Sequence, residues 1–192
     1  MEMNPHHLVM GEITDFLTGI TLADTHDERY RQKLAKRLVL DLGFYNEELV
    51  KDWEITVSAG SQKAKLKIDF LISLNGRTCM AVKYAPGSLV TRRLSNLAFS
   101  RIIRPYQIPI MVTFNGEDAE IINGSTGKVT AHGIDGIPKR EALLALDSFP
   151  SISAELFEKA SRIAFACEVN GACPCDTDIC VLEDIQGRTL PG

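Results

Sequence analysis

Long apolar runs are missing from this chain. No stretch reaches the roughly 18 uninterrupted apolar residues a membrane-spanning helix needs. Met1 to Met10 lacks a basic start followed by an apolar segment, so no secretory signal is expected and a cytoplasmic location is the default. Basic excess is missing too. Lys and Arg number 21 against 25 Asp and Glu, a formal net charge of −4. That balance excludes a surface that is phosphate-binding throughout, though charge can still segregate to one face. Up to residue 166 the only cysteine is Cys79, read as an ordinary buried strand residue, so no disulfide framework is expected there. His6, His7, His26 and His132 show no metal-ligand spacing, and there is no internal repeat or low-complexity tract. A phosphate loop is absent as well. Gly124-Ser-Thr-Gly-Lys-Val-Thr130 has Ile122 where G-x-x-x-x-G-K-[ST] needs its first glycine and Val129 after the lysine, and it lies between strands rather than before a helix.

The composition present is that of a globular protein, with 45% hydrophobic and 24% charged residues. A chain of 192 residues can hold one domain with a real core plus a short appendage. Leu8, Ile13, Phe16 and Leu17 give residues 5–18 a loose helical pattern. Thr25-His-Asp-Glu28 has the spacing of a capping box, and Tyr30, Leu34, Leu38 and Leu42 recur as the apolar stripe of a helix that stops at Gly43. Residues 54–58 read as a short strand. Residues 63–72 begin in alternation and end in an apolar run, a strand that enters the sheet from an exposed edge and becomes buried. Asn75-Gly76 is a hairpin turn, because both residues tolerate positive φ, and residues 78–84 form the returning strand. A helix is expected over 89–106, with Leu94, Leu97, Ala98, Phe99 and Ile102 toward the core. Strands follow at 108–114, 119–122 and 128–132, then helices at 139–146 and 153–166, and a loop from residue 171. This order predicts an α/β fold with a mixed central sheet flanked by helices. The divisions are an N-terminal helical extension over 1–24, the main domain over 25–150, and a C-terminal helix with a cysteine-rich tail over 151–192.

Asp69 and Lys83 carry the chemistry. They stand on two strands joined by a tight hairpin, so both side chains could enter one cleft. A carboxylate suits Mg²⁺, which prefers oxygen ligands, and a lysine beside it can orient water and stabilise phosphate charge. Each also has a plainer reading: a strand-end aspartate bonded to backbone, and a solvated lysine at a strand edge. Glu28-Arg-Tyr-Arg-Gln32, Leu42-Gly43-Phe44, Ile68-Asp69, Val82-Lys83 and Val112-Thr-Phe-Asn-Gly116 come in an order and spacing that resembles the N-terminal domain of type I restriction enzyme R proteins, a branch of the PD-(D/E)XK nuclease superfamily. The resemblance covers roughly residues 25 to 135. It implies a restriction-endonuclease-like fold, Mg²⁺-dependent cutting of DNA, and partnership with DNA and restriction-modification subunits. It also implies catalytic positions at Glu28, Asp69 and Lys83, with Asp69 holding the metal. The ATP-driven motor that R proteins carry downstream has no counterpart here, so restriction would require other subunits.

The departures from that pattern are specific. The family's E-x-K reads Ala81-Val82-Lys83. Positions i and i+2 share a strand face, so Ala81 offers a methyl group where a metal carboxylate belongs. Residues 89–106 contain no Asp or Glu to replace it, and Ala98 stands where the family tends to place a glutamine. With one strand carboxylate, Mg²⁺ should bind weakly and cleavage should be impaired. Arg92, Arg93, Arg101 and Arg104 concentrate positive charge on the acid-free helix, giving either a DNA-backbone contact or a solvated face. Cys167, Cys173, Cys175 and Cys180 could ligate Zn²⁺ or an iron–sulfur cluster, without the usual paired C-x-x-C spacing, or be plain thiols. Three functions remain open: a DNA-associated nuclease-like domain with impaired cleavage, an active metal-dependent endonuclease, and a protein-interaction module with a metal-stapled tail.

Overall fold

A computed structural model describes residues 8–170, and the backbone of 180–182. The described residues open with a two-stranded antiparallel hairpin, β1 (Glu12–Thr14) and β2 (Thr21–Ala23), where the sequence predicts a helical extension. Asp15 explains the turn: its carboxylate accepts the N–H groups of Leu17 and Thr18, each at 2.9 Å. A local side-chain acceptor of this kind competes directly with helix formation.

Helix α1 (His26–Lys36) starts where expected, with Thr25 Oγ1 accepting the Glu28 N–H at 3.1 Å. Glu28 does not complete the box, because its carboxylate turns to Gln32 and Lys51 instead. The helix widens through Arg37–Asp41 and ends at Gly43, whose φ of 79° only glycine adopts without strain. The main sheet is built from β3 (Leu49–Ala59), β4 (Gln62–Leu74), β5 (Arg77–Tyr84), β6 (Ile110–Phe114), β7 (Ala119–Asn123) and β8 (Val129–His132), in that spatial order. All neighbours are antiparallel except β5 and β6. A parallel pair needs a crossover, and α2 (Arg93–Phe99) lies within it. This helix is shorter than expected: a 3₁₀ turn occupies Leu89–Arg92, and turns replace the helix after Ser100. Two helices follow the sheet, the short α3 (Arg140–Leu144) and the longer α4 (Ala154–Glu168). A last strand, β9 (Cys180–Leu182), pairs with β4 at Lys63–Lys65, in a segment read from sequence as loop.

The sheet buries both faces. On one, Leu34, Ala35 and Leu38 of α1 and Leu143 of α3 pack on Phe70, Ile72, Val82 and Phe114. On the other, Ala98 and Phe99 of α2 and Ala160, Ala164 and Phe165 of α4 pack on Leu66, Ile68, Leu71, Ala81 and Met111. Strand β4 changes face midway. Ala64, Leu66 and Ile68 face α4, whereas Phe70, Ile72 and Leu74 face α1. Strict alternation would keep all of them on one side. The switch falls at Asp69, where the β3–β4 ladder runs from Lys51↔Phe70 to Trp53↔Ile68 and Asp52 takes a φ of 54°.

Candidate functional site

The face switch decides where Asp69 points. Its side chain turns toward α1, where Oδ1 accepts Arg31 Nε at 2.6 Å and Oδ2 accepts the Tyr84 N–H at 2.6 Å. Arg31 lies over the Tyr84 ring, 5.1 Å from its centroid, and the Tyr84 hydroxyl donates to Asp27 at 2.8 Å. Burial, then the Asp27 carboxylate, pushes the Tyr84 hydroxyl well above its ordinary range, so it stays a donor. Glu28 joins a second knot beside this one. Its carboxylate accepts Lys51 Nζ at 2.9 Å and Gln32 Nε2 at 2.7 Å, and Lys51 also donates to Asp15. Burial alone would raise the Asp15 carboxyl. Hydrogen bonds from Lys51, the Thr18 N–H and Gln32 outweigh burial and hold it well below the usual carboxylate range. Lys51 is raised for the complementary reason: the two carboxylates outweigh its burial.

Lys83 leaves the sheet on the other side. Its ammonium donates to the Lys67 carbonyl at 3.1 Å, sits 5.6 Å above the Phe99 ring of α2, and stands 3.5 Å from Glu168 Oε2 of α4. The expected shared cleft is therefore not formed. Asp69 and Glu28 are engaged on the α1 face, and Lys83 on the α2/α4 face. Ala81 is fully buried in the apolar cluster under α2 and α4.

Lys83 begins a polar row that crosses the sheet. In register it neighbours Thr113 on β6, which neighbours Glu120 on β7, which neighbours His132 on β8. Residues of α2 roof the row. Asn96 donates to the Thr113 hydroxyl, and Arg93 grips Glu120 in a two-pronged pair at 2.8 and 2.5 Å. That pairing outweighs burial and keeps the Glu120 carboxyl below its usual range.

The arginines do not form one solvated helix face. Only Arg93 lies on α2; Arg92 precedes it, and Arg101 and Arg104 follow in turns. All four are half-buried. Arg93 is committed to Glu120. Arg104 donates to Thr78 Oγ1 at 2.9 Å and stacks over Trp53 at 4.5 Å. Arg92 Nη1 stands 3.9 Å from Glu168 Oε1, and Arg101 Nε is buried without a hydrogen bond.

Mg²⁺, which the resemblance implies, does not fit these residues. Both Asp69 oxygens are taken by strong donors, Glu28 is neutralised by Lys51, and Ala81 offers no ligand. Among the described residues no group of three or more His, Cys, Asp or Glu is disposed to hold a metal ion. Of the four tail cysteines, Cys173 and Cys175 lie outside the described residues, as does the side chain of Cys180; Cys167 and Cys79 are free thiols, each raised chiefly by burial. Sequence reasoning missed Arg31 as the Asp69 partner, the Asp15–Lys51–Glu28 knot, and Glu168. Glu168 left one signal: a glutamate ending a helix opposes the helix dipole and asks for a cationic neighbour.

A mixed sheet with helices on both faces, entered by a helix and crossed over by a second, defines an α/β restriction-endonuclease-like domain. The chain belongs to the family of the type I restriction enzyme R protein N terminus, whose model matches residues 26–138. No curated protein and no solved structure matches the chain significantly. The match leaves out the β1–β2 hairpin and helices α3 and α4. No helix among the described residues is long and apolar enough to cross a membrane.

Proposed function

We propose that this chain is a DNA-associated nuclease-like domain in which Mg²⁺-dependent phosphodiester cleavage is impaired. The observation that carries the reading is Ala81, fully buried two residues before Lys83, where the resemblance places an acid. The saturation of Asp69 by Arg31 and the Tyr84 N–H supports it further, since a hard cation would have to displace a charged donor. Residual chemistry on Asp69, Lys83 and Glu28 would require a rearrangement that frees Asp69 from Arg31 and brings Lys83 to its side of the sheet. DNA contact would draw on Arg92, Arg93, Arg101 and Arg104, with Arg101, whose Nε makes no hydrogen bond, the least committed internally. Restriction-modification subunits and a cytoplasmic setting complete the reading.

The test is direct. Purified protein is incubated with supercoiled plasmid in Mg²⁺ or Mn²⁺, and binding to a labelled duplex is followed by anisotropy across salt concentrations. No nicking is expected, with binding that weakens as salt rises. Cleavage lost in Asp69→Ala would establish the active endonuclease instead. Salt-independent failure to bind any DNA would favour the protein-interaction module.

A further inference from the structure

Glu168 sits in the last residue of α4, outside the family-matched segment, and its side chain is 6% exposed. A negative charge at a helix C-terminus is repelled by the carbonyl ends of that helix. What holds it there is two cations from the domain body. Lys83 Nζ approaches Oε2 at 3.5 Å and Arg92 Nη1 approaches Oε1 at 3.9 Å. Both are ion-pair distances rather than good hydrogen bonds. Glu168 Oε1 makes no hydrogen bond, although it is buried, and neither does Arg92 Nε. The carboxylate is thus a poorly fitted anion between two well-placed cations, on the turn of the helix most prone to fray.

We infer that Lys83 and Arg92 form an oxyanion site for a nucleic-acid backbone phosphate, and that Glu168 of α4 occupies it as a built-in competitor. This rests on the reading of the chain as DNA-associated and adds a regulation to it. A backbone phosphodiester presents two non-bridging oxygens and two ester oxygens in a tetrahedral array and would reach donors that the planar carboxylate leaves idle. Fraying of the last turn of α4 opens the site. With Ala81 offering no carboxylate beside Lys83, the chain supplies the neighbouring anion itself, from Glu168.

The experiment uses the full chain and Glu168→Gln, which keeps the shape and removes the charge. Two readouts are taken: the rise in melting temperature with added pyrophosphate, each variant measured against its own ligand-free value, and binding of a labelled duplex. Glu168→Gln is expected to gain a pyrophosphate-dependent stabilisation that the wild type lacks. Its duplex affinity should rise about tenfold, with a salt slope steeper by about one phosphate. Lys83→Met placed in the Glu168→Gln background should cancel both gains. If the wild type binds DNA and Glu168→Gln changes neither readout, the competitor is refuted while the DNA-associated reading stands. A pyrophosphate gain that needs Lys83, without any duplex binding, keeps the anion site and refutes the DNA reading. If Glu168→Gln only lowers the melting temperature and neither ligand has an effect, the pair is a structural tie and both fall.

Discussion

At the scale of single residues, Asp69 and Glu28 act as internal struts. Asp69 is 2% exposed, and its two oxygens serve a buried guanidinium and a backbone N–H. Asp69→Asn keeps the volume but leaves Arg31 with no carboxylate at this contact in a site it cannot easily leave. Removing one partner of a buried pair costs roughly 3–5 kcal/mol, far more than an exposed ion pair contributes. The expected result is a loss of about 3 kcal/mol in denaturant unfolding, with the slope unchanged. A neutral Asp69→Asn would mean that the Arg31 contact contributes nothing to stability. Gly124 makes a second residue-scale case. A Cβ there would lie 2.0 Å from the Ile108 carbonyl oxygen and 2.8 Å from Gln107 Nε2, and the first of these is backbone, which cannot swing away. Gly124→Ala is therefore expected to destabilise the β7–β8 turn by about 2 kcal/mol or more, an overpacking cost that thermal unfolding reads. Neither site was visible in the sequence for what it is. Asp69 was legible as an important strand aspartate, but its direction depends on the face switch at Asp52 and Asp69, and no local pattern encodes that.

Elements were legible wherever the signal was local. Thr25 and Gly43 bracket α1 by capping chemistry and positive φ, and Asn75-Gly76 closes the β4–β5 hairpin with φ of 50° and 76°. Helix α4 follows the same rule: Ser153 Oγ accepts the Leu156 N–H at 3.2 Å. Ser153→Ala should cost about 1 kcal/mol, the usual value for a lost N-cap, and Ser153→Asp should restore most of it. Equal stability of Ser153→Ala and the wild type would show that packing of Ala160, Ala164 and Phe165 fixes the helix without its cap. Elements failed to be legible where tertiary contacts overrode local preference. The apolar spacing of Ile13, Phe16 and Leu17 suits a helix, yet Asp15 gathers the turn N–H groups and the chain becomes a hairpin. The acid-free stretch 89–106 reads as one helix, but Ser100 and Gln107 redirect it. The Gln107 amide donates to the Ser100 carbonyl and hydroxyl, tying the turn down before β6. Strand β9 is made by pairing with β4, a partner more than a hundred residues away, and three residues carry too little periodicity to announce it.

For the whole molecule, the open question is how charge is divided between its two faces. The α1 face sets Asp15, Glu28 and Asp69 against Arg31 and Lys51, with Asp27 held by the Tyr84 hydroxyl; the α2/α4 face sets Glu120 and Glu168 against Arg93, Arg92 and Lys83. Each buried acid is matched by a cation from a different element, so the ion pairs fasten the hairpin and both helix layers to the sheet. The fold's stability therefore depends on pH through the acids whose carboxyls are held low. Asp15, Glu48 and Glu120 all have carboxyls held below their ordinary range, by hydrogen bonds that outweigh burial from Lys51 and its neighbours, from Arg140, and from Arg93 respectively. A depressed native value means that the unfolded chain binds the proton first as pH falls. Stability from these groups is complete above their unfolded values of about 4 and drains away as pH drops through that range toward their native values. Lys51 works in the opposite sense: its raised native value gives stability that is complete below an unfolded value of about 10.4 and lost only above it. The expected profile is a plateau between these limits, a steep fall below about pH 4 and a shallower one in strong alkali. In Lys51→Met the acid limb should shift to higher pH, since Asp15 loses the ammonium that holds its carboxyl low and takes up a proton more readily. Denaturant titrations across pH check it: an acid limb unmoved in Lys51→Met would show that the Asp15–Lys51–Glu28 knot does not link the hairpin and α1 to the sheet.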